Sequence, residues 1–283
     1  MTTARLDAAL TARGLARSRT QAQALVRDGC VRVDGTVVRK ASTQVGPAAT
    51  LEVVTGGAAG ESAWISRGWV GRGALKLEHA LRTWGPAGLE VADRSCLDVG
   101  ASTGGFTQVL LVHGARRVVA LDVGHDQLDA RLRADPRVVD LPGTNIRDTT
   151  VHDLGGPVDV VVSDLSFISL RLVVPLLPPL CTHDADVVLL VKPQFEVGRE
   201  GVGRGGVVRS AAARAGALAA VLDSVGSAGL AVGGVERSPV VGGSGNVEYL
   251  LWLRPRRTGM IGWGLGPDEL AARCRDLSQE EER

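Results

Sequence analysis

The sequence predicts an α/β protein: a Rossmann-like sheet, mostly parallel with an antiparallel final strand, behind a small basic α+β module. Three observations predict it. From Ser95 onward, short apolar runs alternate with helix-length stretches, the pattern of a parallel sheet. The last two runs are joined by Gly242-Gly-Ser-Gly-Asn246, which leaves no room for a crossover helix, so they must pair antiparallel. The first run of the sheet ends in an acid and passes through a Gly-rich turn, Cys96-Leu-Asp-Val-Gly-Ala-Ser-Thr-Gly-Gly-Phe106, into a helix.

Taken in order, residues 1–59 form the basic module, 60–75 an interdomain linker, 76–255 the sheet domain and 256–283 a C-terminal extension. In the module, Leu6, Ala9 and Leu10 share one helix face, and Gly14 follows as its stop. Ser18 is placed to cap a second helix with Ala22, Leu25 and Val26 inward and Gly29 beyond its end. Val31 to Val38 alternates around Asp34-Gly35, the signature of a type I′ hairpin. In the sheet domain, strands are expected at 95–99, 117–122, 137–140, 158–163, 186–192, 231–236 and 247–253. Helices are expected at 105–113, 126–133, 168–178 and 209–228.

Composition narrows the function. A formal charge of +1 argues against global attraction to a polyanion. The first forty residues, however, carry eight basic side chains against three acidic ones, a local +5. Cys30, Cys96, Cys181 and Cys274 are far apart with no metal-ligand spacing, and read as buried residues in a reducing, cytoplasmic compartment. The histidines are equally scattered, so no metal site is expected. No apolar run approaches the length of a membrane span, and no signal peptide opens the chain. A soluble monomer that does not engage membranes is expected.

Arginine supplies nearly all the positive charge; the only lysines are Lys40, Lys76 and Lys192. Lysine can lose its proton and arginine effectively cannot, which marks Lys76 and Lys192 for chemistry. The strand ends add acids. Asp98 precedes the glycines and Asp122 closes the next strand, an order unlike G-x-G-x-x-G. An acid before the glycines suits a cationic, amino-acid-bearing ligand such as S-adenosylmethionine (SAM), and one at the second strand end suits ribose hydroxyls. A nicotinamide dinucleotide and a turn without any ligand are the alternatives from this stretch alone. Asp164, Lys192 and Glu248 end later strands at the same sheet edge, where ligands of such sheets bind.

The run from Arg5 to Gly35 closely resembles the S-four RNA-binding domain. The strings R-G-A-L-K-L, L-D-V-G-A-S-T-G-G-F-T, S-D-L-S-F-I-S-L, L-V-K-P-Q-F-E-V-G and G-N-V-E-Y-L resemble the FtsJ-like ribose methyltransferases. Together, residues 4–254 resemble the TlyA (haemolysin A) family of cytidine 2′-O-methyltransferases of ribosomal RNA. The resemblance implies SAM as cofactor, ribosomal RNA or ribosomal subunits as partner, and a catalytic tetrad of Lys76, Asp164, Lys192 and Glu248. It implies cofactor contacts at Gly104 and Phe106, with Asp98, Gly100, Ser102 and Gly105 completing the turn. Asp122 is then expected on the ribose, Asn145 near the adenine and Asp164 near the methionine end. RNA contacts are expected from Arg5, Arg13, Arg17, Arg19, Arg27, Arg67 and Arg72. Gly71 departs from the family, which commonly has a serine before the R-G of the lysine motif. The competing functions are an RNA-binding assembly factor, the lytic activity that the haemolysin name suggests, and a nicotinamide-dependent oxidoreductase.

Overall fold

The computed structural model describes residues 3–16, 19–27, 29–54, 64, 67–198, 201–256 and 263–279. The N-terminal module packs helix α1 (Leu6–Ala12) on α2 (Arg19–Arg27) beside a small sheet. Strand β2 (Val31–Val33) lies between β3 (Thr36–Val37) and β5 (Leu51–Val53), while β1 (Ala4–Arg5) pairs with β4 (Gln44–Val45). The β2–β3 turn holds Asp34 at φ 50° and Gly35 at φ 79°, the two positive values that a type I′ hairpin requires. Gly14 stops α1 at φ 69°, as expected. The proposed cap Ser18 lies outside the described residues.

The second sheet has seven strands: β6 (Ser95–Val99), β7 (Arg117–Asp122), β8 (Val138–Pro142), β9 (Val158–Ser163), β10 (Cys181–Val191), β11 (Leu230–Arg237) and β12 (Tyr249–Pro255). Their order is β11-β12-β10-β9-β6-β7-β8. The pairs β6–β7, β7–β8, β6–β9 and β9–β10 are parallel, and β12 runs antiparallel to both β10 and β11. Strand β6 is buried along its whole length, which explains why its sequence does not alternate. Because the order turns at β6, the C-terminal ends of β6, β9 and β10 open into one crevice, and the chemistry collects there.

Helices α3 (Gly73–Trp84) and α4 (Gly105–Val112) cover one face. A single apolar cluster runs from Leu6, Leu10 and Leu25 of the module through Trp64, Trp69 and Val70 to Leu77, Trp84 and Leu110. The module is therefore seated on this face of the sheet. The opposite face buries Val173 and Leu177, Leu218 and Val221 of α6 (Ala211–Ser227), and Cys274 and Leu277 of α7 (Pro267–Gln279). Helix α7 gives the C-terminal extension a place in this core.

Three expectations change. Residues 168–178 are not a helix but belong to a chain of three 3₁₀ turns spanning 170–180, two of them containing Pro175 or Pro178-Pro179. Proline removes a backbone donor and clashes with the preceding turn, so a continuous α-helix cannot form. The helix expected at 126–133 shrinks to α5 (Ala130–Arg133), because Asp126 takes φ 53° and the Asp129 carboxylate caps the helix by accepting from Arg131 N. Helix α3 begins at Gly73, inside the stretch expected as linker, and carries Lys76 on its second turn.

Candidate active site

Four charged side chains from four separate segments meet at the sheet edge. Lys76 comes from α3, Asp164 follows β9, Lys192 follows β10 and Glu248 immediately precedes β12. Lys76 Nζ lies 2.7 Å from Glu248 Oε2 and 3.2 Å from Asp164 Oδ2. Lys192 Nζ lies 2.5 Å from Asp164 Oδ1 and donates to Ser166 Oγ at 2.9 Å. Lys76, Lys192 and Glu248 are buried, and Asp164 bridges the two ammonium groups. Two positive and two negative charges thus neutralise each other.

Their titration follows from that arrangement. Burial pushes the Lys76 pKa down, but Asp164 and Glu248 outweigh it and hold the ammonium above its ordinary value. Burial pushes the Asp164 carboxyl up, and the two lysines override it, leaving the group well below the usual carboxylate range. Lys76 is therefore a fixed cation.

The Gly-rich turn forms the other wall. Ser102 takes φ 49° and Gly104 φ 94°, which turns the chain sharply into α4. Asp98 is fully buried, accepts from Thr107 Oγ1 at 2.7 Å, and leaves Oδ1 without a partner. Burial pushes its carboxyl up to about 7, against the Thr107 hydrogen bonds. A Cβ on Gly105 would sit 3.0 Å from Ala74 N, so this glycine lets α3 and α4 start against each other. That contact brings the turn within reach of Lys76.

A cavity of about 640 Å³ joins the two walls. Of the residues expected at the site, it is lined by Lys76, Asp98, Gly100, Ser102, Gly105, Phe106, Asp164, Lys192 and Glu248. Three expected cofactor residues stand outside its lining. Gly104 packs against Leu128 and Leu132, where a Cβ would come within 2.8 Å and 2.3 Å of their methyl carbons. Asp122 fastens the turn to the end of β7, accepting from Ser102 N at 2.8 Å and Gly124 N at 2.7 Å. Asn145 is exposed and accepts from Arg147 N, capping a 3₁₀ turn.

The arginines divide. Arg27 and Arg72 line the cavity. Arg5 and Arg19 bind the buried Asp7, whose carboxyl the Arg5 guanidinium holds well below the usual range. Arg13 donates to the carbonyls of Gly46, Pro47 and Ala49, and Arg67 pairs with Glu78 at 2.6 Å. These two serve the module's own loops and α3 in this structure. Arg17 lies outside the described residues.

Sequence reasoning missed Arg39, Phe167, Gln194, Phe195, Ser244 and Asn246, all of which line the cavity. Phe167 is 91% exposed, holds φ 65°, and lies 5.3 Å from the Phe195 ring, centroid to centroid. It also missed Glu196. This buried carboxylate accepts from Ser169 Oγ at 2.5 Å and Leu170 N at 2.8 Å, tying the loop after β9 to the loop after β10. The signal was present, since L-V-K-P-Q-F-E-V-G carries both the lysine and its fastener. Among the described residues no histidine, cysteine or carboxylate cluster is set to hold a metal.

Residues 4–51 match the S4 domain and residues 69–255 match the FtsJ-like methyltransferases. The 16S/23S rRNA (cytidine-2′-O)-methyltransferase TlyA of Mycobacterium tuberculosis is 53% identical over 251 residues, covering 89% of this chain and 90% of that protein. The chain belongs to the TlyA family of FtsJ-like methyltransferases. Hemolysin A of Brachyspira hyodysenteriae is 36% identical, with 87% of this chain and 98% of that protein covered. A solved structure from Streptococcus thermophilus, described as a candidate hemolysin, superposes with a TM-score of 0.71 at 33% identity, covering 98% of this chain and 95% of that one. Two names thus attach to TlyA relatives, one for RNA methylation and one for lysis. Among the described residues, no helix is long and apolar enough to cross a membrane.

Proposed function

We propose that this protein transfers a methyl group from SAM to the ribose 2′-hydroxyl of a cytidine in ribosomal RNA, in the cytoplasm. The observation that carries the reading is the charge-balanced tetrad facing the Gly-rich turn across one cavity. The residues present fit the cofactor. Asp98 lines the cavity and holds a buried carboxylate oxygen without a partner, the kind of group a ligand ammonium pairs with, and Phe106 and the turn backbone supply an apolar wall and donors. Asp122, whose oxygens each keep a free lone pair beyond the backbone bonds, sits at the strand end suited to ribose hydroxyls. When bound, SAM supplies a methyl group made electrophilic by its sulfonium.

The chain's own residues prepare the acceptor. A ribose hydroxyl is a weak acid, so its proton must be withdrawn or turned away from the attacking oxygen. Lys192, oriented by Asp164 and Ser166, takes that place and accepts or aligns the 2′-hydroxyl proton. Lys76 is held protonated between Glu248 and Asp164, so it binds a ribose or phosphate oxygen rather than acting as base. Holding the hydroxyl oxygen in line with the methyl removes much of the entropic barrier. The exposed Phe167 beside Phe195 offers a face for a nucleobase turned toward the cavity.

Incubation of unmethylated ribosomal subunits with the protein and SAM, followed by mapping of 2′-O-methyl positions, tests the reading. A new 2′-O-methylcytidine is expected. Methylation confined to bases, or none with intact SAM binding, would sink it.

A further inference from the structure

Lys192 takes its bearings from a loop that the sheet does not hold. It follows β10, and its two partners, Asp164 and Ser166, lie on the loop after β9. The parallel ladder between these strands ends at Leu189 and Ser163. Beyond it, and outside the strands, no backbone–backbone hydrogen bond involves residues 164–168 among the described residues. Phe167, in the middle of this loop, holds φ 65°, a left-handed conformation that a bulky side chain keeps only where its surroundings impose it.

Side chains supply what the backbone lacks, and they do so at both ends of the loop. At one end Lys192 Nζ reaches Asp164 and Ser166. At the other, Glu196 accepts from Ser169 Oγ at 2.5 Å and from Leu170 N at 2.8 Å, with Arg171 Nε 3.8 Å away. Lys192 and Glu196 flank a single 3₁₀ turn, Pro193–Phe195, closed by bonds from Phe195 N to Lys192 O and from Glu196 N to Pro193 O. Both side chains therefore stand on one short frame, stiffened by proline, and grip the facing loop on either side of the Phe167–Phe195 ring contact. The Glu196 side chain is buried and does not line the cavity, so its carboxylate serves the loop rather than a ligand.

We infer that Glu196 is a positioning residue for methyl transfer: it fixes the loop after β9 on the frame that carries Lys192, and so sets Lys192 Nζ against Asp164 and Ser166. This rests on the methyl-transfer reading above. Glu196 touches neither the substrate nor the proton; it acts through Lys192.

The test compares E196A, which drops both ties, with E196Q, whose amide can accept from Leu170 N and donate to Ser169 Oγ. The first readout needs no turnover. Lys40, Lys76 and Lys192 are the only lysines, so acetylation by an N-hydroxysuccinimide ester, mapped by mass spectrometry, follows Lys192 individually. In E196A, Lys192 should react about threefold faster than in wild type as its partners move away, while Lys76 and the exposed Lys40 keep their rates. E196Q should react like wild type. In single-turnover methylation of ribosomal RNA, E196A should run about tenfold slower with SAM affinity within about twofold, and E196Q should return to within about threefold of wild type. Adding S166A to E196A should cost less than adding it to wild type, because the Ser166 contact is already lost. Should E196A fail to fold, S169A, which drops one tie, carries the same comparisons. Unchanged Lys192 reactivity in the variant that folds, failure of E196Q to restore the rate, or independent losses from S166A and E196A each overturn the inference. Absence of methylation by wild type counts instead against the parent reading, because the acetylation rates read the positioning without turnover.

Discussion

Asp98 and Asp164 lie at the ends of adjacent strands and line one cavity, yet they titrate in opposite directions. Asp98 is fully buried with one hydroxyl as its side-chain partner, and its pKa rises to about 7. Asp164 is bracketed by two ammonium groups and falls well below the usual range. The difference lies in the partners, since burial raises both. On the proposed reading, the Asp164 side is a charge-balanced quartet that aligns a hydroxyl, and the Asp98 side is uncompensated until a ligand cation pairs with it. The proposed catalytic and cofactor sides thus differ in whether their charges are already paired.

The largest expected effect breaks the paired half. Lys192→Ala removes the group proposed to meet the acceptor proton and leaves the Gly-rich turn untouched. Methyl transfer should fall by roughly 10²–10⁴-fold, the usual worth of a positioned acid or base, while SAM affinity stays within about twofold. Methylation at near wild-type rate would remove Lys192 from the chemistry. Loss of SAM binding would show that the halves are not separable.

Asp98→Asn breaks the unpaired half and should act in two directions at once. Loss of a charge-assisted contact to the ligand ammonium costs about 1.5–3 kcal/mol, or roughly 10–100-fold in SAM affinity. Without ligand the sign reverses. A carboxyl with folded pKa about 7 and an ordinary value of 3.8 when unfolded retains a proton that the unfolded chain has released. Its contribution to stability is therefore fully favourable below about pH 4, declines as pH rises, and levels off above about pH 7. The asparagine variant lacks this penalty, so the apo protein should melt higher than wild type at pH 8 and gain little at pH 4. SAM affinity of wild type should also rise with pH through about 7, and that of the variant should stay flat. A wild-type affinity independent of pH from 6 to 8 would detach Asp98 from the ligand cation.

The two halves were not equally legible in the sequence. Strands β6, β7 and β9 were readable to the residue, because buried parallel strands are short apolar runs with sharp ends. Lys76 and Lys192 stood out because lysine is rare in this chain, and Asp164, Lys192 and Glu248 because each stands at a strand end; their grouping as a tetrad came from the resemblance to the FtsJ-like enzymes. Missed features depend on contacts between distant segments. The 170–180 turns have a helix-like apolar pattern that three prolines override. Asp122 closes β7 as the sequence indicates, but that Ser102 N and Gly124 N each donate to one of its oxygens was not readable. Arg13 sits among candidate RNA-binding arginines, but three carbonyls from residues 46–49 claim it. No local pattern announces which guanidinium a loop will capture, or that Arg39 will cross Gly29 to reach the cavity.

The smallest expected effect lies on the seam between the halves. Gly71 precedes α3, and a Cβ there would come 2.7 Å from Thr103 Oγ1 of the Gly-rich turn. Gly71→Ser must push the Thr103 hydroxyl aside by rotating its χ1 or by moving the turn. Rotation alone costs on the order of 1 kcal/mol and leaves both walls in place. SAM affinity should then change by no more than about threefold, and methyl transfer at saturating SAM should match wild type. A tenfold loss of SAM affinity with an unchanged catalytic rate would mean the turn itself moved. Equal losses in both would show that the start of α3, and with it Lys76, follows the turn, making the two halves one mechanical unit joined through residues 71–74.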